Sequence, residues 1–172
     1  MKSFNIPSQS IQHEVVIKKS RFITLIHHAA TPVLAHELIQ QTRQTYPDAR
    51  HVCWAFIAGH PQVTTQISCS DDGEPAGTAG KPMLNVLRHS GLGEVVAIVV
   101  RYFGGIKLGT GGLVRAYGGA VNAALDETPY HLKIPLQACY LSVPYPLEDA
   151  VRQLLQRHSA TIEHTHYAEL LT

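Results

Sequence analysis

Two stretches of the chain gather the side chains that could do chemistry. The first runs Ser70-Asp71-Asp72-Gly73-Glu74-Pro75-Ala76-Gly77-Thr78-Ala79-Gly80-Lys81-Pro82 and holds the only dense acidic cluster near a loop. Asp71, Asp72 and Glu74 are oxygen donors of the kind a hard cation such as Mg²⁺ accepts. In a closed pocket they could also serve as general acid or base toward a small phosphorylated or carboxylated substrate. Asp-Asp-Gly is equally a turn sequence, in which Asp bonds nearby backbone. No second carboxylate motif stands beside the cluster, so no metal is expected. If the two loops meet, these acids should pair with Arg101, Lys107 or Arg115 instead.

The second stretch runs Arg101-Tyr102-Phe103-Gly104-Gly105-Ile106-Lys107-Leu108-Gly109-Thr110-Gly111-Gly112-Leu113-Val114-Arg115. Both stretches invite a phosphate-loop reading, and both fail its strict forms. A Walker A loop needs glycine, four residues, then Gly-Lys-Ser/Thr. Around Gly80-Lys81 the required glycine is Pro75 and the required hydroxyl is Pro82, while Lys107 follows Ile106. A dinucleotide fingerprint begun at Gly109 meets Val114 where glycine or alanine is needed. A general anion site remains. Thr110-Gly111-Gly112 lies where a helix begins, and unpaired N–H groups at a helix start favour phosphate or carboxylate. Arg101, Lys107 and Arg115 would add charge. Gly104, Gly105 and Gly109 would let a ligand approach the backbone, or would serve only tight turns and close packing. Tyr102 and Phe103 are either stacking surfaces or core.

Other reactive residues are less informative. Of 11 histidines, His164 and His166 share one face of an expected strand, but no Cys or carboxylate stands at a ligand spacing, so they read as surface. No nucleophile elbow is present. Three cysteines, Cys53, Cys69 and Cys139, form no disulfide framework, and no apolar signal core follows Met1. The expected compartment is the cytoplasm, and no run of about 18 apolar residues suggests a membrane span.

The elements that must position the loops follow from periodicity. Residues 14–18 and 21–28 read as paired strands across Lys18-Lys19-Ser20-Arg21. Thr31 caps a helix with Pro32 at its first position, and Pro47 ends it. His51 to Ala58 and Val63 to Ser70 read as strands. Residues 70–82 form a long loop. Met83, Val86 and Leu87 mark a short helix stopped at Gly91. Glu94 to Phe103, with the apolar run Val95 to Val100, is the expected central strand. Leu113, Tyr117, Ala120, Val121 and Ala124 make a helical stripe. Gly118 and Gly119 inside it suggest a closely packed neighbouring backbone. Beyond Ala138, Tyr140 to Val143, Leu147 to His158 and Thr161 to Ala168 read as strand, helix and strand.

The chain has 172 residues and a formal net charge of +1. That balance argues against a strongly basic nucleic-acid arm, yet charge is uneven along the chain. Residues 1–137 hold 12 basic and 9 acidic side chains, and no acid lies between Glu94 and Asp126. Twelve of the 13 glycines fall between Gly73 and Gly119, so glycine is concentrated where the positive zone lies.

Residues 70–82 and 100–117 resemble the two signature blocks of the IMPACT/YigZ family, supported by Lys19-Ser20-Arg21-Phe22-Ile23 and by residues 49–56. The resemblance is to its bacterial members. It implies an α+β fold. Residues 1–135 would form an IMPACT-type two-layer α/β sandwich, like the second domain of a ribosomal small-subunit protein. Residues 136–172 would be a partial ferredoxin-like domain, since bacterial members usually continue further. The resemblance also implies regulation of translation, with RNA or the ribosome as partner, a protein partner in translation control as a further option, and no cofactor. The expected function is therefore a regulator that binds RNA or the ribosome through Arg101, Lys107, Thr110, Gly111, Gly112 and Arg115. A small-substrate enzyme using Asp71, Asp72 and Glu74, and a protein-interaction module, stand as alternatives.

Overall fold

The computed structural model describes residues 2–168. The first unit, ending at Pro135, is built on a five-stranded antiparallel sheet. Its strands are β2 (Ile11–Ile17), β3 (Ser20–His28), β4 (His51–Ile57), β5 (Ile67–Ser70) and β6 (Val95–Tyr102), in the order β2-β3-β6-β4-β5. A two-stranded ribbon pairs β1 (Phe4–Pro7) with β7 (Tyr130–Lys133). The helices are α1 (Pro32–Thr45), α2 (Gly80–Ser90) and α3 (Thr110–Asp126).

β6 is central, and its unbroken apolar run has a direct cause: both of its faces are covered. Val95, Ala97 and Val99 join Phe22, Cys53 and Ala55 against α2 and α3. Val96, Ile98 and Val100 join Ile23, Val52 and Phe56 against α1. The mixed α/β class stands, with helices on both faces of the sheet rather than in a single second layer.

Local signals account for most boundaries. Thr31 accepts a hydrogen bond from the Leu34 amide, 3.2 Å away, and so caps α1. Gly91 ends α2 in the left-handed conformation, φ +74°. Lys18 and Lys19 turn the β2–β3 hairpin with φ +46° and +67°.

Three expectations shift. The strand expected from Val63 begins only at Ile67. Thr64 donates its hydroxyl to the Ala58 carbonyl and accepts from the Gln66 amide, and such local bonds draw backbone away from a ladder. The loop after β5 is shorter than expected, because α2 already begins at Gly80. The glycines inside α3 are not forced by packing. A Cβ at Gly118 would meet only Val86 at 3.7 Å, and one at Gly119 would meet nothing within 4 Å.

The second unit begins at Leu136. It forms one turn of 3-10 helix (Tyr145–Leu147) and α4 (Glu148–Arg157). Arg152 pairs with Glu148 one turn away, and the Tyr167 hydroxyl donates to the same carboxylate. Of the expected strand–helix–strand order, the helix forms, while Tyr140–Val143 and Thr161–Ala168 pair with no other strand among the described residues. A strand is held by ladder bonds to a neighbour, and these segments find none.

Candidate functional site

Strand register brings the two glycine-bearing loops to one end of the sheet. Arg21 lies opposite Tyr102, His51 opposite Arg101, and Trp54 opposite Ser70. The first loop leaves β5 and the second leaves β6 at that shared end.

Every acid of the first loop is engaged internally. Asp71 accepts from the backbone amides of Gly77 (2.7 Å), Ala79 (2.9 Å) and Gly80 (2.8 Å), so its carboxylate caps the start of α2. The Glu74 amide donates to the Asp71 carbonyl across a tight turn, with Asp72 and Gly73 both at positive φ. Asp72 accepts from the Val52 amide and from Arg43, each at 2.7 Å. Its carbonyl accepts from His51 Nδ1 at 2.8 Å, so that nitrogen carries the proton. The cluster makes turns and caps, as Asp-Asp-Gly suggested.

Glu74 reaches deepest. Its Oε1 accepts from Arg101 Nη1 at 2.5 Å and from the Tyr117 hydroxyl at 2.7 Å, with both charged side chains buried. The guanidinium of Arg101 also faces the rings of Phe22 and Phe103, 5.5 and 5.7 Å from their centres. This junction clamps the first loop to β6 and α3. It supplies the acid–base pairing expected if the loops met, and its cationic partner is Arg101. Arg101 is thus enclosed beneath the second loop, while Lys107 and Arg115 are exposed.

Tyr117, Cys53, Arg43 and Ser20 were not singled out as site residues from the sequence. Tyr117 carried a signal: a phenol in a stripe of small core-facing residues must find a buried partner. Cys53 Sγ lies 3.3 Å from the Tyr117 oxygen and 3.0 Å from the Asp71 carbonyl. Burial pushes the Cys53 thiol up to about 12, and burial likewise raises the Tyr117 phenol. Both stay protonated at neutral pH and act as hydrogen-bonding groups, not as nucleophiles.

The second loop leaves a different surface. Gly104 donates to the Ser20 hydroxyl and packs on the Lys18–Lys19 turn. Phe103 is exposed. Gly105 and Gly109 carry φ of +87° and +74°. Gly109 occupies the cap position of α3 and offers no side chain to the first turn. Thr110 and Gly111 are exposed and Gly112 half-buried. Arg115 folds back along the helix, its Nη1 3.8 Å from where a Cβ on Gly111 would stand. Lys81, expected in the first loop, lies in the first turn of α2, where it is exposed and lies against Gly77, on the Asp71 side. Among the described residues, no group of three or more His, Cys, Asp or Glu could hold a metal ion. Among the described residues, no helix is long and apolar enough to cross a membrane either.

The Impact N-terminal domain family matches residues 18–125, which contain both loops and every contact just described. The chain belongs to the IMPACT family. Its relatives include IMPACT family member YigZ of Escherichia coli (strain K12), 47% identical over 167 residues, covering 97% of this chain and 82% of that protein. IMPACT family member YvyE of Bacillus subtilis (strain 168) is 36% identical, covering 98% of this chain and 77% of that one. A crystal structure described as that of a hypothetical protein superposes with a TM-score of 0.80 at 46% identity, over 98% of this chain and 82% of that one. The IMPACT-family match thus spans β3 to β6, all of α1 and α2 and all but the last residue of α3, where the two loops are clamped.

Acid should loosen this end of the sheet. Burial raises the Asp71 carboxyl, but the amides of Gly77, Ala79 and Gly80 and the charge of Lys81 outweigh it and hold it below its ordinary value. Glu94, at the opposite end of β6, is also held low: burial raises it, and Lys133 and His28 more than offset that. A carboxyl depressed in the folded state contributes stability above its unfolded pKa, and loses it as pH falls through the folded value. The thermal midpoint should therefore fall on acidification through and below the ordinary carboxylate range. In Asp71→Asn that acid slope should flatten; an unchanged slope would remove Asp71 from this account.

Proposed function

We propose that this chain regulates translation by binding RNA, free or within the ribosome, through the exposed start of α3. One observation carries the reading: the first turn of α3 has no side-chain cap, and Arg115 folds back beside Gly111. Backbone N–H groups aimed outward at a helix start, with guanidinium charge beside them, suit a phosphate oxygen. Lys107 lies just upstream, and Lys18 and Lys19 are exposed in the hairpin turn that touches Gly104.

Neutralisation nearby supports the same reading. Asp71 faces amides, Asp72 faces Arg43, and Glu74 faces Arg101. The acids therefore do not cancel the cations outside, and a chain of net charge +1 can still present a positive face locally. Arg101 positions this surface from beneath. The translation side of the reading rests on the family resemblance.

Fluorescence anisotropy with a labelled single-stranded RNA tests it. Affinity should fall with salt, with a log–log slope of about −0.7 for each phosphate neutralised. The double variant Lys107→Glu/Arg115→Glu should bind roughly tenfold or more weakly at low salt and show a shallower slope. A flat salt response, or full binding by the double variant, refutes the assignment.

A further inference from the structure

Helices α2 and α3 pack side by side, and toward their C-terminal ends they enclose one wall of an open cavity of about 490 Å³. Asn85, Asn122 and Asp126 line it together with the apolar Val86 and Leu125 and the ring of Tyr130. The Tyr130 residue is 61% exposed. His89 also lines the cavity. Its Nδ1 donates to the Asn85 carbonyl at 2.7 Å, so in the neutral ring Nε2 is left as an acceptor.

These groups have a definite chemistry. Asn122 Nδ2 donates to Asp126 Oδ2 at 3.4 Å, which leaves the Asn122 carbonyl, the Asn85 amide, the second Asp126 oxygen and the imidazole acceptor to bond the edge of a planar heterocycle, and a phenol ring offers a face for stacking. Volume and mixed lining suit a small aromatic ligand. The Asp126 carboxylate disfavours a phosphate in the same place. A base seated here must carry its phosphates elsewhere.

The helix shows where they would lie. Gly111, Arg115, Gly118 and Asn122 follow one another along one face of α3 at spacings of three or four. The rise from Gly111 to Asn122 is about 16 Å. Between Arg115 and the cavity the track is bare at Gly118 and Gly119, where packing demands no glycine and helix propensity opposes it. Gly119 leaves the helix backbone open to a passing strand, and Gly118 beside it is half-buried next to Val86.

We infer that the α2–α3 cavity receives an unpaired base of the same RNA strand whose phosphates meet the start of α3. The inference rests on the RNA-binding reading and adds a preference to it: single strands over duplex, because a paired base presents neither edge nor face to the cavity.

The full chain is titrated with a labelled short single-stranded RNA and with the same RNA in duplex form. The single strand should bind more tightly. Tyr130→Ala and Gly119→Leu should each weaken single-strand binding roughly tenfold, the effect of losing one stacked base. The salt slope should stay unchanged, since neither substitution removes a cation that neutralises phosphate. Gly119→Leu extends into open space and replaces a helix glycine, so its thermal midpoint should hold or rise, which separates lost binding from unfolding. If Lys107→Glu/Arg115→Glu abolishes binding while Gly119→Leu and Tyr130→Ala bind like the parent, the cavity assignment is overturned and the α3 reading stands. Absence of RNA binding by the parent chain overturns both. A concentration-dependent dimer that Gly119→Leu disperses would make the groove a contact between copies, and overturns the cavity assignment too.

Discussion

Replacing Glu74 by Ala should destabilise the first unit by about 3–5 kcal/mol, the usual loss when one member of a buried ion pair is removed. The side chains of Glu74 and Arg101 are 4% and 7% exposed. Without the carboxylate, the guanidinium is left charged between the rings of Phe22 and Phe103, and arginine cannot shed its proton to escape. Its Nε already lacks a partner, so the site has no spare acceptor among the described residues. Tyr117 loses its acceptor in the same step. Urea unfolding of the parent and variant measures the loss. The double variant Glu74→Leu/Arg101→Met should recover a large part of it, because a buried pair replaced by apolar groups of similar volume is often neutral. A Glu74→Ala protein as stable as the parent would show that the pair does not hold the two loops together. RNA binding by the double variant is informative as well. If Arg101 only positions the surface, the recovered fold should keep most of its affinity, whereas a direct phosphate contact would be lost with the guanidinium.

Gly104→Ala should cost about 3 kcal/mol, at the upper end for overpacking. A Cβ there would stand 2.0 Å from both the carbonyl carbon and oxygen of Lys19. Those are backbone atoms of a two-residue turn already held at positive φ by two lysines, so neither side yields by a rotamer change. The loop must lift from the hairpin, breaking the bond from the Gly104 amide to the Ser20 hydroxyl. Chemical denaturation measures the loss. The contrasting variant is Gly119→Ala, which meets open space and should gain about 1 kcal/mol from helix propensity. Equal stability of the two variants would contradict this account of where glycine is required. Because the lifted loop leads into α3, Gly104→Ala should also weaken RNA binding beyond what its stability loss explains.

Much of the frame was legible without coordinates. Thr31-Pro32 announced α1, Gly91 its stop signal after α2, and Lys18-Lys19 the hairpin turn, because each of these signals acts through bonds to residues a few positions away. The apolar run of β6 announced a central strand for a similar reason: a strand covered on both faces has no polar side to show. The same reasoning placed the start of α3 at Thr110 and set the glycine-rich loops apart from ordinary linker. It failed where an element needs a partner. Val63 to Gln66 had a strand-like composition, yet Thr64 spends its bonds locally. Tyr140–Val143 and Thr161–Ala168 alternate like strands and have no neighbour to pair with among the described residues.

The candidate site divides in the same way. Residue types and spacing alone marked two loops, three acids and three cations, and they suggested that acid and base would pair if the loops met. Which cation is spent and which stays free was decided by the fold. Arg101 lies on β6, whose register beside β4 brings it over the first loop, so it is buried against Glu74. Arg115 lies five residues into α3 and folds outward toward the helix start. Caps and turns are settled by atoms close in the chain, which one sequence displays. Pairing between Glu74 and Arg101, 27 residues apart, is settled by strand register and burial, where the cost of an uncompensated charge selects the partner. Only the packed sheet supplies those.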